Sequence, residues 1–281
     1  MKTQKKLWSA LAALCVATGT VAQPAYNYSK LQKEQLGRGV VAIRENPSEV
    51  VVSWRYLSSD PINTSFNVYR NGEKIAEVPH STGTFYRDTY SGNEKAVYTV
   101  KPVINGVETG KLNGNYTLPA NAPSGYIDIP LDRPAEGVTP SGQKYTYSPN
   151  DASIGDVDGD GEYEIILKWD PSNAHDNAHD GYTGNVYFDC YRLTGEKLWR
   201  IDMGKNIRAG AHYTQFMVYD LDGDGKAEIV MKTSDGTIDG KGKVIGDATA
   251  DYREPGDPNQ PKGGDFSPND PRSKGKPTDP L

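Results

Sequence analysis

Two acidic stretches of the chain share one register. GDVDGDGEYEIILKW begins at Gly155 and YDLDGDGKAEIVMKT begins at Tyr219, 64 residues later, and 8 of the 15 aligned positions are identical. In the first, Asp156, Asp158 and Asp160 alternate, Gly161 follows, and Glu164 holds the ninth place. Asp220, Asp222, Asp224, Gly225 and Glu228 repeat that pattern. Hard carboxylate oxygens at places one, three and five, a glycine for the sharp turn and a backbone carbonyl at seven describe the front half of a calcium loop. The carbonyls would come from Glu162 and Lys226. Place twelve is Leu167, not the bidentate Glu of an EF-hand, and the following EIILKW and EIVMKT lean to β, so an ion here would clip a strand-entry loop. A pair of solvated acidic turns would not need the shared register, and packed carboxylates repel without a cation. The pattern predicts bound Ca2+ in a structural role.

A second polar cluster, WDPSNAHDNAHDGYTGN (169–185), places His175 and His179 four residues apart. Pro171 and Gly181 oppose a helix that would bring the two rings to one face. It reads as a polar loop near a carbohydrate or calcium site, in preference to a zinc centre, which needs convergent ligands.

The elements that must carry these loops are β-strands. Gly (30), Pro (19) and Tyr (18) are abundant, and no long stretch keeps a 3.6-residue apolar period. Between Gly39 and Leu118 the runs GVVAIRE, EVVVSWRYL, SFNVYRNGEKIAEV and AVYTVKPVINGVETG alternate with turn signals. Asn71-Gly72 and Asn105-Gly106 mark hairpins. Trp54 in its Val-rich run is expected as a core anchor of a small fibronectin III-like β-sandwich, here residues 27–118. Pro-rich LPANAPSGYIDIPLDRP (118–134) leads into a second region, 119–236, with strands EIILKW, NVYFDCYRL, KLWRIDM, TQFMVYD and AEIVMKT. Its Thr-Gly hairpin with aromatic strands has the form of a propeller blade. Residues 237–281 lose the pattern and are expected to form an irregular, disordered tail.

At the N-terminus, Lys2, Lys5 and Lys6 precede an apolar run from Leu7 to Val16 and small residues up to Ala22. That layout predicts a secretory signal, residues 1–22, cleaved near Ala22, and too short to span a bilayer. The expected product is exported. Net charge is −6, and removing the three lysines makes it more negative still, which argues against nucleic acid as a partner. Cys190 would then be the sole cysteine, so ions rather than disulfides must fasten the loops. A monomer is expected, with no membrane span.

With these residues in hand, the chain resembles the rhamnogalacturonan lyases of polysaccharide lyase family 11. The resemblance is carried by GRGVVAI, VVSWRYL, FNVYRNGEKIA, YSPNDASIGDVDGDGEYEIILKWDPSN and GEKLWRIDMGKNIRAGAHYTQFMVYDLDGDGKAEIVMKTSDGTIDGKGKVIGDATADYR, from about Leu36 to Arg253. It implies an all-β protein: the sandwich, then the first blades of a calcium-binding propeller of the eight-bladed type, incomplete in this chain. It implies a pectic polysaccharide, rhamnogalacturonan I, as substrate, with Asn150 and Asp170 contacting it.

The implied reaction is β-elimination at galacturonate. A cation must neutralise the uronate carboxylate, a base must take the C5 proton, and the leaving oxygen must receive one. Lys168 and Lys232 recur after the two loops and are candidates, as are Arg208 and His212. No base is assigned. Two other readings fit the acidic loops: a non-catalytic, calcium-stabilised propeller that binds glycan or protein, and a glycoside hydrolase using paired carboxylates.

Overall fold

Both Asn-Gly hairpin signals hold in the computed structural model, which describes residues 35–110, 113–176 and 181–253. Asn71 and Gly72 have φ of 50° and 84°, and Asn105 and Gly106 have φ of 52° and 77°. Two consecutive left-handed residues match the twist of the strands they join. The first turn links β3 (Ser65–Arg70) to β4 (Glu73–Val78), and the second links β6 (Ala96–Ile104) to β7 (Val107–Glu108).

The first eight strands form two facing sheets. One is β1 (Val41–Asn46), β2 (Glu49–Ser53) and β5 (Phe85–Thr89), in that spatial order. The other runs β4-β3-β6-β7, with β8 (Gly114–Leu118) also paired to β6. Alternate residues point inward: Val50 and Val52 from β2, then Ala96, Tyr98 and Val100 from β6, packed with Trp54, Phe66 and Val68 in one core. The period of two is what a half-buried sheet demands. Trp54 is the expected anchor, meeting Phe66 edge-on at 5.5 Å.

The Pro-rich connection is tied at both ends. Ser124 bridges to Arg44, Gly125 N–H donates to the Arg44 carbonyl at 2.7 Å, and the Asp132 N–H donates to the Tyr191 hydroxyl at 3.1 Å. A small hairpin, β9 (Gly137–Val138) and β10 (Lys144–Tyr145), follows.

Four antiparallel strands then pair in chain order: β11 (Tyr147–Gly155), β12 (Glu164–Pro171), β13 (Tyr187–Tyr191) and β14 (Lys197–Asp202). Both faces of β12 are covered. Ile166 lies in a cluster with Val186, Phe188, Met203 and Ile207, while Leu167 and Trp169 pack with Tyr147 and Tyr191. Alternation places those two groups on opposite faces. A further hairpin, β15 (Phe216–Tyr219) with β16 (Glu228–Met231), stacks on the first cluster, Phe188 meeting Phe216 at 4.8 Å. The stacking is close at Gly155, where a Cβ would lie 2.7 Å from both Ala227 Cβ and Val218 Cγ1. Among the described residues no sheet closes into a barrel and there is no α-helix. Among them, no helix is long and apolar enough to cross a membrane.

Residues 237–253 depart from the tail expected there. They hold no strand, yet they are anchored. Thr237 is fully buried and its hydroxyl donates to the Met203 carbonyl at 2.8 Å, while Asn206 Nδ2 donates to the Asp235 and Ala250 carbonyls. Hydrogen bonds from the Thr237 and Asn206 side chains to carbonyls, with backbone bonds such as the Asp202–Ile238 pair, fix this segment, and composition does not report them. The expected signal (1–22) and residues 254–281 lie outside the described residues.

Candidate metal loops and the edge that faces substrate

Each acidic loop is the connection of a hairpin, β11 to β12 or β15 to β16, and the two share one set of internal bonds. Asp156 Oδ1 accepts from the N–H groups of Gly159 and Asp160 at 2.7 and 3.1 Å, and Oδ2 from Gly161 at 2.9 Å. Asp220 does the same with Gly223, Asp224 and Gly225 at 2.8, 3.2 and 3.1 Å. Asp158 and Asp222 cap the N–H groups of Asp160 and Asp224. Asp160 and Asp224 in turn cap Glu162 and Lys226, both at 2.9 Å. Glu164 and Glu228 reach back to the N–H groups of Val157 and Leu221 at 3.0 and 2.9 Å. Gly161 could be no other residue: its φ is 92°, and a Cβ would meet the Gln35 carbonyl at 2.9 Å.

This template makes three carboxylates converge. Asp156, Asp158 and Glu164 each offer an oxygen within 4.8 Å of the others, as do Asp220, Asp222 and Glu228. Hard oxygen donors at that spacing suit Ca2+. Asp160 and Asp224 stay outside the two trios, each with one oxygen turned to the backbone two residues on. The expected contributions of Glu162 and Lys226 concern their backbone carbonyls. The Glu162 side chain turns toward the sandwich, where a Cβ on Gly37 would meet its Oε1 at 2.6 Å. The Lys226 stem runs along Gly159 of the first loop. The loops touch, since Ala227 N–H donates to the Asp156 carbonyl at 2.8 Å.

Their surroundings differ. Asp156 is 0 % exposed and Glu164 1 %, whereas Asp220 and Glu228 are half-buried and Asp222 is exposed. Burial pushes the Glu164 carboxyl up to about 7, with Asp158 and Asp160 adding to it. One side chain that sequence reasoning missed, Arg192, also contacts the first loop. Its Nη2 meets Asp158, and its Nη1 meets Asp160 at 2.8 Å and Glu164 at 3.3 Å. The signal was in the register: Ile165 pairs with Tyr191, so the next rung sets Arg192 opposite Glu164.

Asn150 and Asp170 lie at the far end of the same ladder. Asp170 pairs with Ser148, and a bulge between Pro149 and Ala152 carries Asn150 and Asp151 outward. Bulges re-aim side chains in this way. Asp170 is six residues from Glu164, roughly 20 Å along the strand. An ion in the loop can thus set the register of this pair without touching either residue. Asp170 Oδ1 is buried without a hydrogen-bond partner, and burial raises the carboxyl above its ordinary value. Lys168, 3 % exposed, donates to Asp151 at 2.6 Å across the bulge.

The remaining candidates separate. Lys232 sits over the Tyr213 ring at 5.6 Å, so the two equivalent lysines have different partners. The Arg208 guanidinium binds the carbonyls of His175, Gly181 and Asp176, clamping the polar loop. His175 Nδ1 lies 2.6 Å from the Asn173 carbonyl, and exposed His212 lies 3.1 Å from Asp176. His179 is outside the described residues. Cys190 is buried and unpaired.

Comparison with known proteins follows the same division. Residues 31–115 match the family model for the rhamnogalacturonan I lyase beta-sheet domain, and residues 126–258 match that for the C-terminal domain of rhamnogalacturonan lyase family 11. The rhamnogalacturonan endolyase YesW of Bacillus subtilis (strain 168) is 52% identical over 257 residues, which is 90% of this chain and 40% of YesW. The exolyase YesX of the same organism is 55% identical over 224 residues, covering 80% of this chain and 36% of YesX. The crystal structure of YesX superposes with a TM-score of 0.71 over 80% of this chain and 36% of that one, at 54% identity. YesW gives the same TM-score at 56% identity, over 80% of this chain and 37% of its own. The chain thus spans well under half the length of these relatives. With two family models matched in order on either side of residues 116–125, the chain belongs to rhamnogalacturonan lyase family 11.

Proposed function

We propose that this chain is part of an exported, calcium-stabilised lyase that cleaves the rhamnose–galacturonate backbone of rhamnogalacturonan I by β-elimination. The observation that carries the reading is 52–55% identity to an endolyase and an exolyase across both halves of the chain. The first half is proposed as a fibronectin III-like sandwich. The β11–β14 meander is proposed as the first blade of a propeller, and β15–β16 as the opening strands of the next.

In the elimination, a base takes the C5 proton, and the electron pair left at C5 forms the C4–C5 double bond as the C4–O4 bond breaks. The departing oxygen takes a proton. Asn150 and Asp170 hold substrate in this proposal. Asp170 is half-buried and its buried Oδ1 has no partner in the chain, so this carboxylate has acceptor capacity left for a sugar hydroxyl. Lys168 fixes the bulge through Asp151 and so positions Asn150. Ca2+, when bound, supplies charge neutralisation among the loop carboxylates. Residues 156–164 and 220–228 hold it away from the reacting bond.

The test is release of unsaturated uronate from rhamnogalacturonan I, followed by ultraviolet absorbance. Absorbance should grow with calcium, fall in chelator, and fall with Asp170→Ala. A chain that melts cooperatively with calcium but yields no double bond would instead be a glycan-binding module or a truncated enzyme, which a version extended past Leu281 would tell apart.

A further inference from the structure

We propose that Arg192 is a built-in counter-cation of the first acidic loop, which divalent metal must displace or share, so that the two loops differ in their demand for metal. The proposal rests on the calcium reading of the loops above. Its basis is an inventory of oxygens. In both loops the backbone takes the same carboxylate atoms: both oxygens of the leading Asp, one each of the next two Asp, and one of the Glu. Three outward oxygens are left over in each loop.

In the first loop all three face one guanidinium. Asp158 Oδ2 takes Nη2, and Asp160 Oδ2 and Glu164 Oε1 take Nη1. Glu196 holds Nε from the other side at 3.3 Å, which fixes the orientation of the fork. In the second loop, among the described residues, no cationic side chain meets Asp222, Asp224 or Glu228. Two of the residues held by Arg192, Asp158 and Glu164, belong to the convergent trio that Asp156 completes, so an incoming ion competes with the guanidinium for their carboxylates. A planar guanidinium satisfies carboxylates at fixed geometry and cannot lose its charge. The first loop therefore keeps its shape without metal and binds metal more weakly than its buried carboxylates would otherwise do.

The experiment is calorimetric titration with CaCl2 of chains carrying Asp222→Asn, which silences the second loop. Arg192→Gln in that background should bind calcium at the first loop about tenfold more tightly or better, the scale of a lost charge-assisted contact of ~1.4 kcal/mol. Its melting temperature in chelator should also fall. Arg192→Lys, which keeps the charge but loses the fork, should show an intermediate Kd. Unchanged or weaker binding in Arg192→Gln would overturn the proposal. If that variant does not fold, a Kd for Arg192→Lys equal to or weaker than its parent overturns it equally. No calcium heat in the unsubstituted chain would instead remove the metal reading, and the proposal with it.

Discussion

The two acidic loops are near-copies in sequence and in backbone bonding, yet one is sealed and the other open. The bonds that shape Asp156–Glu164 recur to within 0.2 Å in Asp220–Glu228. What differs is supplied from outside. Gln35 and Gly37 press on the first loop, Gly37 donating to the Gly161 carbonyl at 2.5 Å, and Arg192 covers its mouth. The second loop has no such lid among the described residues. A nine-residue motif thus specifies a turn and a set of ligands. Burial and counter-charge, which decide how much the ion matters, come from residues far away in the chain.

The largest effect expected from this contrast is on the leading aspartates. Asp156→Ala leaves three N–H groups without their acceptor at a buried site and should cost about 3–5 kcal/mol. Asp220→Ala leaves the equivalent groups nearer water and should cost about 1–2 kcal/mol. Urea unfolding in chelator measures both, and equal losses would break the contrast.

Next comes pH. The Glu164 carboxyl titrates near 7 in the folded chain and at its ordinary 4.5 when unfolded. A raised carboxyl stabilises the protein fully below pH 4.5, and that stability is lost as pH rises through 7. Metal-free protein should therefore be less stable at pH 8 than at pH 5 by on the order of 2 kcal/mol from this group, and Glu164→Gln should flatten the slope. Calcium should remove it as well, because the ion binds the carboxylate. Thermal melts across pH read all three.

The smallest effect has the opposite sign. In the sandwich, hydrogen bonds from Tyr69, Asn67 and Lys101 hold Glu108 down at about 2. That contribution is present above pH 4.5 and lost as pH falls toward 2. The cluster is partly solvated, so Glu108→Gln should cost only ~0.5 kcal/mol at neutral pH. Calcium should not alter it.

Much of this was legible in the sequence where chemistry is local. The acidic repeats, the Asn-Gly turns and the Val-rich strands around Trp54 all sit where their patterns put them. β11 was not legible, because YSPNDASIG carries few apolar residues and a proline. It is an edge strand, where Pro149 interrupts no inner ladder and a bulge is tolerated. Residues 237–253 hold no strand, and the hydrogen bonds from Thr237 and Asn206 that fix them leave no mark on composition. Arg192 was invisible until the β12–β13 register set it beside Glu164, 28 residues away. The six-residue separation of Asp170 from the loop was readable all along, but its meaning needed the strand.

The most direct test of the contrast is amide hydrogen exchange, read separately for residues 155–171 and 219–231, with calcium and in excess chelator. The account predicts that chelation strips protection from the second segment while the first, latched by Arg192, keeps most of its own. Equal loss in both segments, or none in either, would contradict it.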